Sequence, residues 1–124
     1  MNNNIYRFSL DLDKQDSQVY VTVRKGDTVK KLSALLKESG TPYSIAAGTS
    51  AVLAATKPDG TYTATSCTIT DNRLEVVLPA VFTATVGKLS ACFRLTGSEA
   101  ALTSPPFTIF VDEPAAEDTA QAGS

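Results

Sequence analysis

Ala51-Val52-Leu53-Ala54-Ala55-Thr56-Lys57-Pro58-Asp59-Gly60-Thr61-Tyr62-Thr63-Ala64-Thr65 reads as two strands closed by a tight turn. Pro58 presets φ at the first corner, Asp59 tolerates the second, and Gly60 can take the left-handed conformation that ends a bulged hairpin. A second hairpin follows. Ser66 to Thr70 meets Arg73 to Leu78 through Asp71-Asn72, two residues that accept positive φ better than most. Leu74, Val76 and Leu78 then share a core face, and Pro79 ends the strand because it has no N–H to donate. Ala80 to Val86 reads as a loop or one helical turn before Gly87.

The same rhythm extends in both directions. Tyr6, Phe8, Leu10 and Leu12 alternate with Arg7, Ser9 and Asp11, and Val19, Val21 and Val23 repeat the device against Tyr20, Thr22 and Arg24. A period of two is what a strand with one buried face requires. Leu89, Ala91, Phe93 and Leu95 share a face, and Phe107, Ile109 and Val111 alternate after the stiff Pro105-Pro106. Short runs with turn chemistry between them predict an all-β sandwich or barrel of about seven strands. Its expected core is Phe8, Leu10, Leu53, Ile69, Leu74, Val76, Leu89, Phe93 and Ile109, with Val52 and Ala54 the alternative inward pair to Leu53.

Thr28 to Ser39 is ambiguous. Val29, Leu32, Leu35 and Leu36 recur at helical spacing, Thr28 suits a helix cap, and Gly40 suits a helix end. As a strand, the segment puts Leu32, Ala34 and Leu36 on one face and Lys31, Ser33 and Lys37 on the other, with only Leu35 misplaced. The domain is expected over residues 1–112. Residues 113–124 are acidic and small, with no side chain large enough to anchor them, and read as a disordered tail.

Composition narrows the chemistry. The chain has 124 residues, 43% hydrophobic and 19% charged, with a formal net charge of -2, which gives no field for nucleic acid or anionic lipid. There is no run of 18 apolar residues and no signal-peptide pattern, so neither membrane insertion nor secretion is expected. Histidine and tryptophan are absent, which removes a histidine-dependent triad, a histidine-ligated zinc and the usual indole platform for sugars. Cys67 shares parity with the inward Ile69, whereas Cys92 lies opposite Phe93's face. Opposed faces and a cytosolic setting predict two reduced thiols, Cys92 the more accessible.

Each candidate site has a plain reading beside it. Asp11, Asp13 and Asp16 could chelate calcium, yet no glycine sets the ligand geometry and no closing glutamate is near, so a solvated loop is the better account. Lys25, Lys30, Lys31 and Lys37 lack the interleaved aromatics of a single-strand binder and read as exposed faces or edge protection. Gly26 and Gly60 are turn glycines, and Ser66, Ser90 and Cys92 have no basic partner in any motif. No catalytic residue, metal or cofactor is expected. Tyr20 and Phe110 stand apart, since their parity turns them away from Val19, Val21, Ile109 and Val111. They are the candidate protein-contact residues.

Lys25-Gly26-Asp27-Thr28, Gly40-Thr41-Pro42-Tyr43-Ser44-Ile45, Ala55-Thr56-Lys57-Pro58-Asp59-Gly60-Thr61, Leu78-Pro79 and Gly87-Lys88-Leu89-Ser90-Ala91-Cys92-Phe93-Arg94-Leu95 occur in an order that resembles the N-terminal domain of phage baseplate upper proteins. The resemblance covers about residues 5–112. It implies an immunoglobulin-like antiparallel β-sandwich, and it implies that Thr28 to Lys37 is a strand. It also implies a non-enzymatic bacteriophage virion structural protein, made in the host cytoplasm, that docks on the tail-tip hub and helps attach receptor-binding fibres for host attachment. The expected partners are the hub, a fibre or receptor-binding protein, and further copies of the chain in a symmetric assembly. Family members usually continue into a long C-terminal region that trimerises and holds the adhesin, whereas this sequence ends at Ser124. A capsid or tail decoration or fibre-anchoring protein, an adaptor ring and a carbohydrate-binding adhesion sandwich are the alternatives.

Overall fold

A computed structural model describes residues 5–15, 17–26, 28, 30–98 and 101–113. The strands are β1 (Ile5–Asp11), β2 (Tyr20–Arg24), β3 (Lys31–Glu38), β4 (Thr41–Pro42), β5 (Ser50–Thr56), β6 (Tyr62–Thr70), β7 (Arg73–Val77), β8 (Gly87–Thr96), β9 (Ala101–Thr103) and β10 (Phe107–Asp112). A four-residue helix, α1 (Ala80–Thr83), links β7 to β8. The all-β expectation holds, and both hairpins form where turn chemistry places them. Gly26 and Gly60 sit at φ +87° and +89°, while Asp71 and Asn72 sit at +50° and +67°.

The hydrogen-bonded path runs β1-β3-β7-β6-β5-β8-β10-β2, with β4 added to β3 and β9 to β8. β6 makes the corner. Its residues Tyr62 to Cys67 pair with β5, and Thr68 to Thr70 pair with β7, so one long strand belongs to both layers. The sheet thereby folds over itself and nearly closes into a barrel.

Two expectations are corrected. Among the described residues ten strands form instead of about seven, the extra ones including the two-residue β4 and three-residue β9, too short to show as alternating runs. The sheet is also not purely antiparallel, because β1 pairs parallel with β3 and β2 parallel with β10. The chain moves to the other layer between β1 and β3, so these neighbours are not joined by a hairpin. Parallel pairing is then sterically open to them.

Lys31–Glu38 is a strand despite its helical spacing. Leu32, Ala34 and Leu36 are buried inward, and Leu35 is half-buried on the other face, as the strand pattern requires. Two neighbours, β1 and β7, supply the ladder that overrides the local period. Val29 and the expected tail lie outside the described residues, apart from the exposed Glu113 at the tail's start.

Of the expected core, Leu10, Leu53, Leu74, Val76, Leu89, Phe93 and Ile109 are buried, while Phe8 and Ile69 are half-buried against it. Leu53 points inward opposite Phe93, and Ala54, on the outer face opposite Cys92, is also buried. The sequence pattern misses Phe82, 1% exposed, which α1 inserts between the layers. Along the seam where β1 and β2 are not hydrogen-bonded, rings take the ladder's place. Phe8 lies 5.1 Å from Phe107 and 6.4 Å from Phe93, and Tyr6 lies 5.6 Å from Phe8. Tyr6 then donates its hydroxyl to the Tyr20 carbonyl at 3.1 Å.

The register defines two ends. Ile5, Lys31, Val77, Gly87, Arg24 and Asp112 gather at the α1 end, together with the Lys57–Gly60 turn. The Ser39-Gly40 turn, the Asp71-Asn72 turn and Thr96 lie at the opposite, Asn72 end.

Candidate functional site

Tyr20 begins β2, the strand at one end of the hydrogen-bonded path. Thr108 stands beside Tyr20 and Thr22 beside Phe110, which brings the two rings to 5.7 Å across the strand pair. Parity alone would turn both outward, and they do face out: Tyr20 is 53% exposed and Phe110 half-buried. The approach to β2 is anchored from afar, as Ser17 donates its hydroxyl to the Pro106 carbonyl at 2.8 Å and Thr108 N–H donates to the Val19 carbonyl at 3.1 Å. The pair therefore rests on a fixed backbone.

The same outer face carries aromatic surface that the core pattern does not single out. Tyr62, 58% exposed, lies opposite Thr56, and the Arg94 guanidinium sits 5.8 Å above its ring. A cation over an aromatic face adds about 0.5–1 kcal/mol at an exposed site and holds the ring in place. The signal was available in the alternation of Tyr62, Ala64 and Ser66 against Thr63, Thr65 and Cys67.

The acidic loop is committed to turn geometry. Asp11 accepts Asp13 N–H at 2.9 Å and Gly40 N–H at 3.1 Å, while Asp13 accepts the Ser39 hydroxyl. These amides, Asp13's foremost, hold the Asp11 carboxyl below its ordinary range. Asp16 lies outside the described residues, and among those described no three metal-ligating side chains gather. Lys31 is likewise engaged, 3.1 Å from Glu75, which also accepts the Ser33 hydroxyl. Arg73 donates to the Ser33 hydroxyl at 2.8 Å, completing a polar network on the outer face of β3 and β7.

The thiols are unbridged, Cys67 on the inner face opposite Ala51 and Cys92 on the outer face opposite Ala54. Burial pushes the Cys67 thiol up to about 12. At the Asn72 end a hollow of about 250 Å³ opens among Tyr43, Ile45, Leu95 and Leu102. Asn72 shapes it with both ends of its amide, accepting Ile45 N–H at 2.8 Å and donating to the Tyr43 carbonyl at 2.7 Å.

Motifs distant in sequence meet in the fold. A Cβ on Gly87 (φ +136°) would fall 2.7 Å from Cγ of Pro58, so the Lys-Pro-Asp-Gly turn packs directly on the Gly-Lys strand start. Gly26 N–H donates to the Thr83 carbonyl at 2.9 Å, tying the Gly-Asp-Thr segment to α1.

Tyr20, Phe110 and Tyr62 thus turn their rings outward, while the acidic loop caps backbone amides. The sequence pattern of the BppU N-terminal domain, the N-terminal domain of phage baseplate upper proteins, matches residues 3–124, and the chain belongs to that family. Membership gives it a structural role in the phage tail or baseplate, within the virion and among other virion proteins. The N-terminal domain of phage TP901-1 ORF48 has a similar fold, with a TM-score of 0.75 over 88% of this chain and 98% of that one at 17% identity. No curated protein sequence matches significantly.

Proposed function

We infer that the domain is a non-enzymatic docking module, seated on the tail-tip hub and helping to attach receptor-binding fibres, and that it works in a symmetric assembly after synthesis in the host cytoplasm. In this reading the layered sheet is an immunoglobulin-like scaffold whose outer face makes the contact. The observation that carries it is the Tyr20–Phe110 pair, two rings 5.7 Å apart on the outside of a strand pair and fixed from below by long-range hydrogen bonds. Aromatic side chains lose little conformational entropy on binding and dominate many protein contacts. Repetition around a symmetric assembly lets a small patch suffice.

The test is Tyr20→Ser and Phe110→Ser, assayed separately for thermal stability and for incorporation into phage particles. Truncating an interface aromatic commonly costs about 2 kcal/mol or more of binding. Tyr20→Ser is expected to melt within a few degrees of the parent and to be depleted from particles. Normal incorporation of both stable variants would overturn the contact surface.

A further inference from the structure

The hydrogen-bonded path stops at β1 and at β2, and the register fixes which backbone groups are left over there. Leu12 N–H donates to the Lys37 carbonyl at 2.7 Å, so the even-numbered residues of β1 are the ones bonded to β3. Successive residues of a strand turn their N–H and C=O to opposite sides, and those of Arg7 and Ser9 therefore face away from β3. β2 is phased in the same manner. Thr108 N–H donates to the Val19 carbonyl and Lys25 N–H to the Asp112 carbonyl, which turns the backbone of Tyr20 and Thr22 away from β10.

These two edges border one seam. The Tyr6 hydroxyl bridges it at the Tyr20 carbonyl, a side chain standing where a neighbouring strand would place its N–H. Further along, the seam opens into a trough of about 540 Å³, with Ser9 and Asp11 on one wall and Ser17, Gln18 and Val19 on the other. The second wall is pinned by the Ser17 hydroxyl and the Val19 carbonyl, so the trough is formed before anything fills it. Native edge strands are usually blunted by lysine, proline or a bulge. β1 has none of these: Ile5-Tyr6-Arg7-Phe8-Ser9-Leu10-Asp11 pairs with β3 in unbroken register, and Ser9 is exposed.

We propose that the open edge of β1 takes an extended peptide segment of another virion protein, which lies in the trough and adds a strand beside β1. What β1 offers there is a row of backbone donors and acceptors at strand spacing, and the backbone of a second strand is the partner that satisfies such a row in sequence. The inference rests on the docking reading for the presence of a partner and deepens it by giving the form of one partner segment. It uses neither ring of the Tyr20–Phe110 pair, so the two contacts can fail separately.

Hydrogen–deuterium exchange of the full chain, free in solution and inside intact phage particles, reads the edge without any variant. Residues 5–11 are expected to exchange more slowly in particles, through the amides of Arg7 and Ser9. Ser9→Pro removes an N–H on the open side of β1 and leaves the β3 ladder whole, since an edge strand tolerates proline where its N–H faces outward. This variant should fold, melt within a few degrees of the parent and be lost from particles. Ser9→Ala, which keeps the N–H, should be incorporated as the parent is. Arg7→Pro, on the same open side, takes the place of Ser9→Pro should that variant fail to fold. Equal exchange of residues 5–11 in the two states overturns the proposal, as does normal incorporation of the folded proline variant or loss of Ser9→Ala from particles. Slow exchange at residues 5–11 together with normal incorporation of Tyr20→Ser and Phe110→Ser would end the aromatic contact and leave the added strand standing.

Discussion

Asn72 shows how one side chain can serve two purposes. Its backbone, at φ +67°, turns the β6–β7 hairpin, and its amide clamps the segment that leads into β5 through Ile45 and Tyr43. The two roles separate by substitution. Asn72→Gly keeps the positive φ and loses both hydrogen bonds, leaving partly buried backbone groups without those partners, for about 1–3 kcal/mol. Asn72→Ala adds the left-handed strain of a Cβ, about 1 kcal/mol more. Urea unfolding should rank the parent above Asn72→Gly, and Asn72→Ala last. A glycine variant as stable as the parent would mean that the clamp contributes nothing. The turn role was legible in the Asp71-Asn72 pair, whereas the clamp was not, since its partners lie 27 and 29 residues away along the chain.

At the scale of the element, β3 is the informative case. Helical and strand readings both bury Leu32 and Leu36, and they part company at Leu35. In the fold Leu36 is fully buried and Leu35 only half-buried, beside Arg73 on the outer face. A helix with Leu32, Leu35 and Leu36 on one stripe would suffer from the loss of either leucine. The strand predicts an asymmetry. Leu36→Thr should cost about 2–5 kcal/mol, from lost burial and a buried hydroxyl, while Leu35→Thr, with its better β propensity, should cost less than about 1 kcal/mol. Chemical denaturation of the two variants measures the difference directly, and equal losses would contradict the strand faces. β1, β8 and β10 posed no such conflict, because alternation and propensity agreed.

Over the whole molecule the carboxylates set the response to acid. Asp13's amide at Asp11, the Thr61 hydroxyl at Asp59 and Lys31 at Glu75 are the largest causes that lower these three groups below their ordinary values of 3.8, 3.8 and 4.5. A group lowered in the fold binds its proton more weakly there than in the unfolded chain. Its stabilisation is therefore present above the unfolded value and is lost as pH falls through the folded one. With no histidine to titrate, the melting temperature should stay nearly flat from pH 7 to 5 and fall below about pH 4. Asp11→Asn should melt earlier than the parent at pH 7 and close to it at pH 3. A gap that stays constant with pH would remove Asp11 from the account. What the sequence by itself determined is whatever neighbours in the chain can enforce: the strand alternation, both hairpin turns, the outward parity of Tyr20 and Phe110, and the opposed faces of Cys67 and Cys92. Tertiary structure decided the parallel pairing of β1 with β3 and β2 with β10, the strand identity of Lys31–Glu38, and the corner at β6. It also decided the insertion of Phe82 and the meeting of Pro58 with Gly87. Each of these depends on which segments become neighbours once the sheet folds over, and side-chain period carries no record of pairing partner or direction.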